Sequence, residues 1–241
     1  MVDDHPTPTN PAHAGPPAPG SLAARLRGFG PVSILAVVVI VLTGSVAVAP
    51  VLYLPVGAAL VLAWTRLSET PWSAIGYVRP RSWLLTLVGG AAFGVAFKVA
   101  MKALVMPLFG ADPVNSTYHF LAGNTALLPA AALTMVGAGF GEETVFRGFL
   151  FERLGRLLGS AAWARAAIVL LTSAGFALAH LPDQGLAGAE QAVFTGLVFG
   201  SIYAVTRRLP FVMVAHAAFD LAAVAMIYAG LETRVAHMIF R

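Results

Sequence analysis

The sequence predicts an all-α, multi-pass transmembrane bundle of about seven helices (roughly six to eight) with a polar site inside the membrane. Three observations support this fold class. Of the 241 residues, 58% are hydrophobic and only 11% are charged, whereas about a quarter of an average soluble domain is charged. Several apolar stretches approach the roughly 20 residues that a helix needs to cross a bilayer. A few ionisable residues lie inside these stretches, where charge is rare and usually functional.

The chain divides into a tail, an N-terminal helical part and a C-terminal core. Residues 1–24 are rich in Pro and Ala and have almost no large apolar side chain, so we predict a disordered tail. Residues 25–110 are predicted to hold the first transmembrane helices, and residues 126–230 the core. The predicted spans are 32–49, 51–64, 83–109, 126–150, 164–181, 191–206 and 210–230.

The charges predict how these spans are oriented, because Lys and Arg in short loops favour the cytoplasmic side. Arginines flank the first two spans and follow the spans 126–150 and 191–206, whereas segments 110–125 and 181–190 carry acidic residues and no Lys or Arg. We therefore expect a multi-pass protein of the cell membrane with a cytoplasmic N-terminus and with segments 110–125 and 181–190 outside the cell. The net charge of +4 comes largely from loop arginines, so the expected partner is the lipid bilayer and not a nucleic acid.

Ionisable side chains recur within three of the predicted spans. Glu143 and Arg147 are four residues apart, acid before base, which is the favourable order for an ion pair on one helix face. That pairing neutralises Glu143 and leaves Glu142, about 100° further round the helix, available for chemistry. His180 stands at the end of the apolar run 164–181.

His216 and Asp220 lie four residues apart in the last span and therefore share one helix face. An acid in this position can fix the tautomer of the imidazole or act as a second ligand. Counting about 1.5 Å per residue from the connecting turns places Glu142 and His180 at the same depth, with His216 somewhat lower. The three spans are thus predicted to form one intramembrane pocket. The alternative is that each pair only joins neighbouring helices.

The ordered motifs EExxxR, FxxxH and HxxxD resemble the CAAX-protease and bacteriocin-processing family of intramembrane proteases, also called the Abi group (CPBP family). The matching residues, within 126–225, are Glu142, Glu143, Arg147, Phe176, His180, His216 and Asp220. The resemblance implies hydrolysis of peptide bonds in membrane-associated peptides or proteins. It implies Glu142 as the general base, His180 as its partner in activating water, and His216 with position 220 as oxyanion stabilisers. Many members have Asn at that position, so Asp220 is expected either to orient His216 or to act protonated.

Metal binding is left open by the same residues. Glu142, His180 and His216 match a common zinc ligand set. The HExxH motif is absent from the sequence, however, and a glutamate–histidine pair can activate water without a metal. The sequence therefore predicts no certain cofactor and leaves zinc open.

Two other functions fit parts of the pattern. A non-catalytic immunity or partner-binding protein on the same scaffold is the main alternative to an endopeptidase, and the intact motif set argues against it. A proton-coupled carrier would be expected to have repeated halves with broken helices. Residues 32–109 and 126–230 show no such repeat.

Two further patterns concern the interior of the bundle. Lys98 and Lys102 lie mid-span and four residues apart, and we expect them to pair with an acid or to line the cavity. Small residues at helix-packing spacing are expected to let helices approach closely; they are Gly90, Gly94, Gly137, Gly141, Gly196 and Gly200.

Overall fold

The computed structural model describes residues 16–44, 46–49 and 52–240. Within them the chain forms eight helices and a β-hairpin, which confirms the predicted helical membrane bundle. The helices are α1 Leu22–Arg27, α2 Pro31–Leu42, α3 Val56–Leu67, α4 Trp83–Leu108, α5 Thr125–Leu158, α6 Ala162–Thr206, α7 Leu209–Tyr228 and α8 Glu232–Ala236. The antiparallel hairpin consists of β1 Val46–Ala49 and β2 Leu52–Leu54. Most of the predicted tail lies outside the described residues, and its last three residues are helical in α1.

Four helices in the described part of the chain, α4 to α7, are long and apolar enough to cross a membrane. The helices α2 and α3 have 12 residues each, or about 18 Å, which is less than the roughly 30 Å of a hydrocarbon core. The prediction of one continuous helix over residues 32–49 is therefore wrong. Thr43 ends α2 and its hydroxyl donates to the carbonyl of Val39 at 2.7 Å. Alternating Val and Ala then favour the strand β1.

The 45 residues of α6 form two antiparallel arms, residues 162–184 and 186–206, that reverse direction at Gly185. A Cβ added to Gly196 would lie 2.8 Å from the Cβ of Ser173, and one added to Gly200 would lie 3.4 Å from Val169. Residue numbers rise along one arm as they fall along the other in these contacts, so the arms lie side by side and antiparallel. The predicted spans 164–181 and 191–206 correspond to the two arms. The segment 181–190, which connects these two predicted spans, is helical except at Gly185 (φ 64°), where a glycine in the left-handed region reverses the chain within one residue.

The helix α7 lies between α4 and α5 and packs along both. Two glycines make these contacts close. The backbone of α7 fills the space that side chains would occupy, because a Cβ on Gly94 would lie 2.1 Å from the carbonyl oxygen of Ala215 and one on Gly139 would lie 2.6 Å from the nitrogen of Ala217. Packing at Gly90, Gly94, Gly196 and Gly200 follows the prediction, whereas Gly137 has no atom within 4 Å of an added Cβ. On α5 it is Gly139 that meets α7.

One end of the bundle, here called the arginine-rich end, contains the side chains of Arg153, Arg207 and Arg208. Arg207 and Arg208 donate to backbone carbonyls in the segment 74–79, which connects α3 to α4. Arg153 of α5 donates to two carbonyls at the end of α1. The segments predicted to face the cytoplasm therefore meet at one end.

Arg153 attaches the N-terminal helix to the core. Its buried guanidinium donates to the carbonyl of Arg27 at 2.9 Å, to the carbonyl of Gly28 and to the hydroxyl of Ser33 at 2.9 Å. The ring of Phe29 covers it at 4.5 Å. These contacts give partners to both terminal nitrogens of a charged group that would be costly to bury alone, and they attach α1 to α5.

At the opposite end, here called the acidic end, the α4–α5 connection, the Gly185 reversal and the start of α8 lie together. The hydroxyl of Thr117 donates to the carbonyl of Asp183 at 3.4 Å, and the backbone N–H of Asn115 donates to Glu232 at 2.9 Å. The α4–α5 connection therefore contacts both the Gly185 reversal and the start of α8. The two segments predicted to lie outside the cell share this end.

Candidate active site

The candidate site begins at the middle of α5. Glu142 is 5% and Glu143 0% exposed, and both lie about midway along this helix. Directly after them, residues Thr144–Phe149 form a π-helical turn. Such turns are rare and occur frequently at functional sites. Two buried carboxyl groups therefore stand about midway along a helix that is long enough to cross a membrane, beside a local widening of that helix.

Glu143 is the centre of a buried network. Its Oε1 accepts a hydrogen bond from Nη1 of Arg147 at 2.8 Å and another from Nδ1 of His216 at 2.8 Å. Arg147, which is 1% exposed, also packs on the ring of Phe176 at 4.6 Å. The predicted ion pair between Glu143 and Arg147 is thus present. Glu143 has in addition a contact that the sequence did not indicate, because it orients His216 from another helix.

The second nitrogen of His216 faces two further carboxyl groups. Its Nε2 lies 3.7 Å from Oε2 of Glu142 and 3.6 Å from Oδ2 of Asp220. Both distances exceed an ordinary hydrogen bond. The sequence left open whether Asp220 orients His216; in the structure the orienting hydrogen bond comes from Glu143, and Asp220 lies at the opposite side of the imidazole.

His180 is held by its own helix. Its Nδ1 donates to the carbonyl of Phe176 at 2.9 Å, so in the neutral ring Nε2 is the nitrogen that can accept a hydrogen bond. The ring of Phe176 packs against His180 at 4.4 Å and against His216 at 5.8 Å between centroids. Phe176 therefore contacts both imidazole rings and helps to fix the distance between them.

A cavity of about 160 Å³ brings these groups together. Its lining includes Glu142, His180, His216 and Asp220, which come from α5, the first arm of α6 and α7. The lining continues through Tyr118 and other polar residues toward the acidic end. The four side chains proposed from the sequence thus share one space that lies inside the bundle and extends to one end of it.

Several lining residues were not singled out from the sequence. Burial and nearby carboxylates raise the pKa of Tyr118 to about 12, and its hydroxyl accepts a hydrogen bond from Gln184 at 3.3 Å. Gln191 accepts a hydrogen bond from Lys98 at 2.7 Å, and Lys98 lines the cavity as expected. A neutral polar residue in a predicted loop or at the start of a span carries no signal that separates it from a solvated one.

The arrangement of the cavity side chains bears on the zinc ligand set that the sequence left open. Across residues 16–44, 46–49 and 52–240 there is no group of three His, Cys, Asp or Glu side chains that could hold a metal ion. Nδ1 of His216 donates to Glu143 and Nδ1 of His180 donates to a backbone carbonyl; such hydrogen bonds also occur in zinc-bound histidines, so the misfit rests on how the three side chains are arranged. Glu142, His180 and His216 do not fit a zinc site in this arrangement.

Comparison with known proteins gives a family match for the second half of the chain. Residues 124–222 match the family model described as "Type II CAAX prenyl endopeptidase Rce1-like". No curated protein and no solved structure gives a significant match. The matched segment contains all four cavity residues from the three motifs, and at the general level the family implies protease activity in a membrane. Residues 124–222 are therefore an Rce1-like domain, which confirms the resemblance to the CAAX-protease family that the motifs carry.

Proposed function

We propose that this chain is an intramembrane endopeptidase that hydrolyses peptide bonds of membrane-associated peptides or proteins with a water molecule activated by Glu142 and His180. The observation that carries the proposal is the cavity inside the helical bundle that Glu142, His180, His216 and Asp220 line together. The Rce1-like match supports the same class of reaction.

Glu142 and His180 bind and activate the water. The carboxylate of Glu142 accepts one hydrogen of the water, and Nε2 of His180 accepts the other, since its Nδ1 already donates to the carbonyl of Phe176. As Glu142 takes its proton, the water oxygen forms a bond to the peptide carbonyl carbon. The carbonyl π-electrons move onto the peptide oxygen, which becomes an oxyanion.

His216 stabilises that oxyanion. With both ring nitrogens protonated, Nδ1 donates to Glu143 and Nε2 donates to the oxyanion. Asp220, beside the same nitrogen, assists either as a second charge or, when protonated, as a second donor. The oxyanion then re-forms the carbonyl, the C–N bond breaks, and Glu142 returns its proton to the leaving amine. One water is consumed, and one carboxyl and one amino terminus are formed.

The surroundings are consistent with this chemistry. The polar lining runs from the site to the acidic end, so water can reach a carboxylate that lies deep in the bundle. We further propose that the arginine-rich end, with α1, faces the cytoplasm of the cell, since basic loops favour that side.

The test is proteolysis of a library of membrane-tethered peptides by the purified protein. Glu142→Gln removes the base without changing its size and should lower kcat by at least about 100-fold. Glu190→Gln is the matched control, because it makes the same change in α6 outside the cavity lining and should leave the rate unchanged. Adding a chelator to the wild type tests the zinc set independently of these variants.

Two results would contradict the proposal. Full activity of Glu142→Gln would remove the base from the mechanism. If folded wild-type protein cleaves nothing across a broad library, the immunity or partner-binding function becomes the better explanation.

A further inference from the structure

The segment that connects α3 to α4 packs against the helix that bears the two site carboxyl groups. A Cβ added to Gly148, in the π-helical turn of α5, would lie 3.0 Å from the carbonyl oxygen of Ile75. Gly76 has a left-handed conformation (φ 83°) that glycine adopts readily, and its carbonyl accepts the N–H of Leu209 at 2.9 Å. The segment is therefore held against both α5 and the start of α7.

Tyr77 of this segment forms a hydrogen bond with α5. Its hydroxyl oxygen lies 2.8 Å from that of Thr144. Thr144 donates its one hydroxyl hydrogen to the carbonyl of Phe140 at 2.8 Å, so the phenol of Tyr77 is the donor between the two hydroxyls. Burial raises the pKa of Tyr77 above its ordinary value, so the phenol keeps this hydrogen at neutral pH.

These two hydrogen bonds join the ends of the helical turn that contains Glu142 and Glu143. Phe140 begins this turn, and Thr144 ends it and is also the first residue of the π-helical turn. A threonine hydroxyl that bonds to the carbonyl four residues earlier often bends a helix. The phenol of Tyr77 fixes the direction of that hydroxyl at the point where α5 widens, directly after both carboxyl groups.

We infer that Tyr77 is a positioning residue of the proposed reaction: its hydrogen bond to Thr144 holds the turn that directs Glu142 into the cavity. The inference rests on the proposed function, because Tyr77 acts through the proposed base. Tyr77 is not among the described residues that line the cavity, and it lies outside residues 124–222 that match the family model. Its effect should therefore fall on the chemical step and not on the binding of a substrate.

The test measures kcat and KM of Tyr77→Phe on a membrane-tethered peptide that the wild type cleaves. The value of kcat should fall by about tenfold to a hundredfold, as for a catalytic group displaced by about 1 Å, while KM stays at the wild-type value. Tyr203→Phe is the matched control. Tyr203 packs against Gly76, and its buried hydroxyl has no hydrogen-bond partner among the described residues, so this variant should keep the wild-type kcat.

Variants of Thr144 test whether Tyr77 acts through this hydroxyl. Thr144→Val removes the acceptor and should lower kcat at least as much as Tyr77→Phe, and the double variant should be no slower than Thr144→Val alone. Thr144→Ser keeps the hydroxyl and should keep the wild-type kcat. Unchanged kcat in Tyr77→Phe, a rise in KM alone, or additive losses in the double variant would overturn the inference and leave the proposed function standing.

A measurement that needs no catalysis covers the case in which no peptide is cleaved. Hydrogen–deuterium exchange of the backbone amides in Thr144–Phe149 reports how firmly the π-helical turn is held. Exchange in this turn should be faster in Tyr77→Phe than in the wild type or Tyr203→Phe, with α4 unchanged. Equal exchange in all three proteins would overturn the inference. Faster exchange in α4 as well would indicate a general loss of structure and would overturn it too.

Discussion

Replacing Glu143 with Gln, with Arg147 left in place, should strongly destabilise the protein. The pair is 0% and 1% exposed, and its nitrogen–oxygen distance is 2.8 Å. Removing one partner of a buried pair leaves an uncompensated charge and costs about 3–5 kcal/mol. The total stability of a typical domain is about 5–15 kcal/mol, so the loss should be visible as a lower midpoint in an SDS unfolding titration.

A second change should restore stability and isolate the role of Glu143 toward His216. Glu143→Gln with Arg147→Met removes both charges and keeps an amide oxygen that can accept from Nδ1 of His216. Glu143→Leu with Arg147→Met removes the acceptor as well. Both double variants should recover about 2 kcal/mol or more relative to Glu143→Gln, because an apolar replacement of a buried pair is often neutral.

Activity should separate the two double variants. The imidazole loses its orienting hydrogen bond only in the leucine variant, and misplacing a catalytic group by about 1 Å can cost about 100-fold in rate. We expect kcat/KM of the leucine variant to be lower by about that factor in the peptide assay. Equal activity of the two would show that Glu143 does not position His216. Wild-type stability of Glu143→Gln would refute the buried pair itself.

Three further predictions concern helix packing, the attachment of α1 and the mouth of the cavity. Gly139→Ala should lower the unfolding free energy by about 1–3 kcal/mol, because its Cβ would lie 2.6 Å from the backbone of α7. Gly137→Ala is the control: open space surrounds its Cβ, so it should be neutral or stabilising by up to about 1 kcal/mol. Equal losses of stability for the two variants in SDS titrations would refute the contact of Gly139 with α7. Arg153→Met should make α1 sensitive to limited proteolysis, whereas the more exposed Arg156 should be replaceable by Met without that effect; equal cleavage of both variants would contradict the attachment. Because burial raises the pKa of Tyr118 to about 12, its contribution to stability is complete below about pH 10 and is lost as the pH rises toward 12; thermal melts should show a larger loss for the wild type than for Tyr118→Phe, and identical losses would count against it.

Local spacing explains which parts of the site could be predicted. The pair Glu143 and Arg147 lies on one helix, so its ion pair follows from the periodicity of the sequence alone. The hydrogen bond from His216 to Glu143 joins residues of different helices, and no local pattern encodes it. The sequence therefore indicated the members of the site but offered only Asp220 as a candidate for orienting His216, and left that role open.

The fold shows the same division between local and tertiary information. Apolar length predicted the long helices well, because each backbone group of a membrane span must be satisfied within the segment. The charges of segment 181–190 indicated only that it connects two spans outside the cell, whereas the reversal depends on one glycine, Gly185, in the left-handed region. Likewise, the contact of Gly139 rather than Gly137 with α7 depends on how α5 is rotated in the bundle, which residue spacing does not determine.

The π-helical turn at Thr144–Phe149 sets the rotational phase between the two halves of α5. A π turn is equivalent to one residue inserted into an α-helix, and each residue corresponds to about 100° of rotation. The half that bears Glu142 and Glu143 is therefore turned relative to the half that bears Arg153 by an amount that an unbroken α-helix would not allow. This offset lets one helix direct its acids into the cavity and its arginine toward α1. Deleting Val145 from the turn would keep every cavity side chain in the protein and rotate the half that bears Glu142 and Glu143 by about 100° relative to the half that bears Arg153.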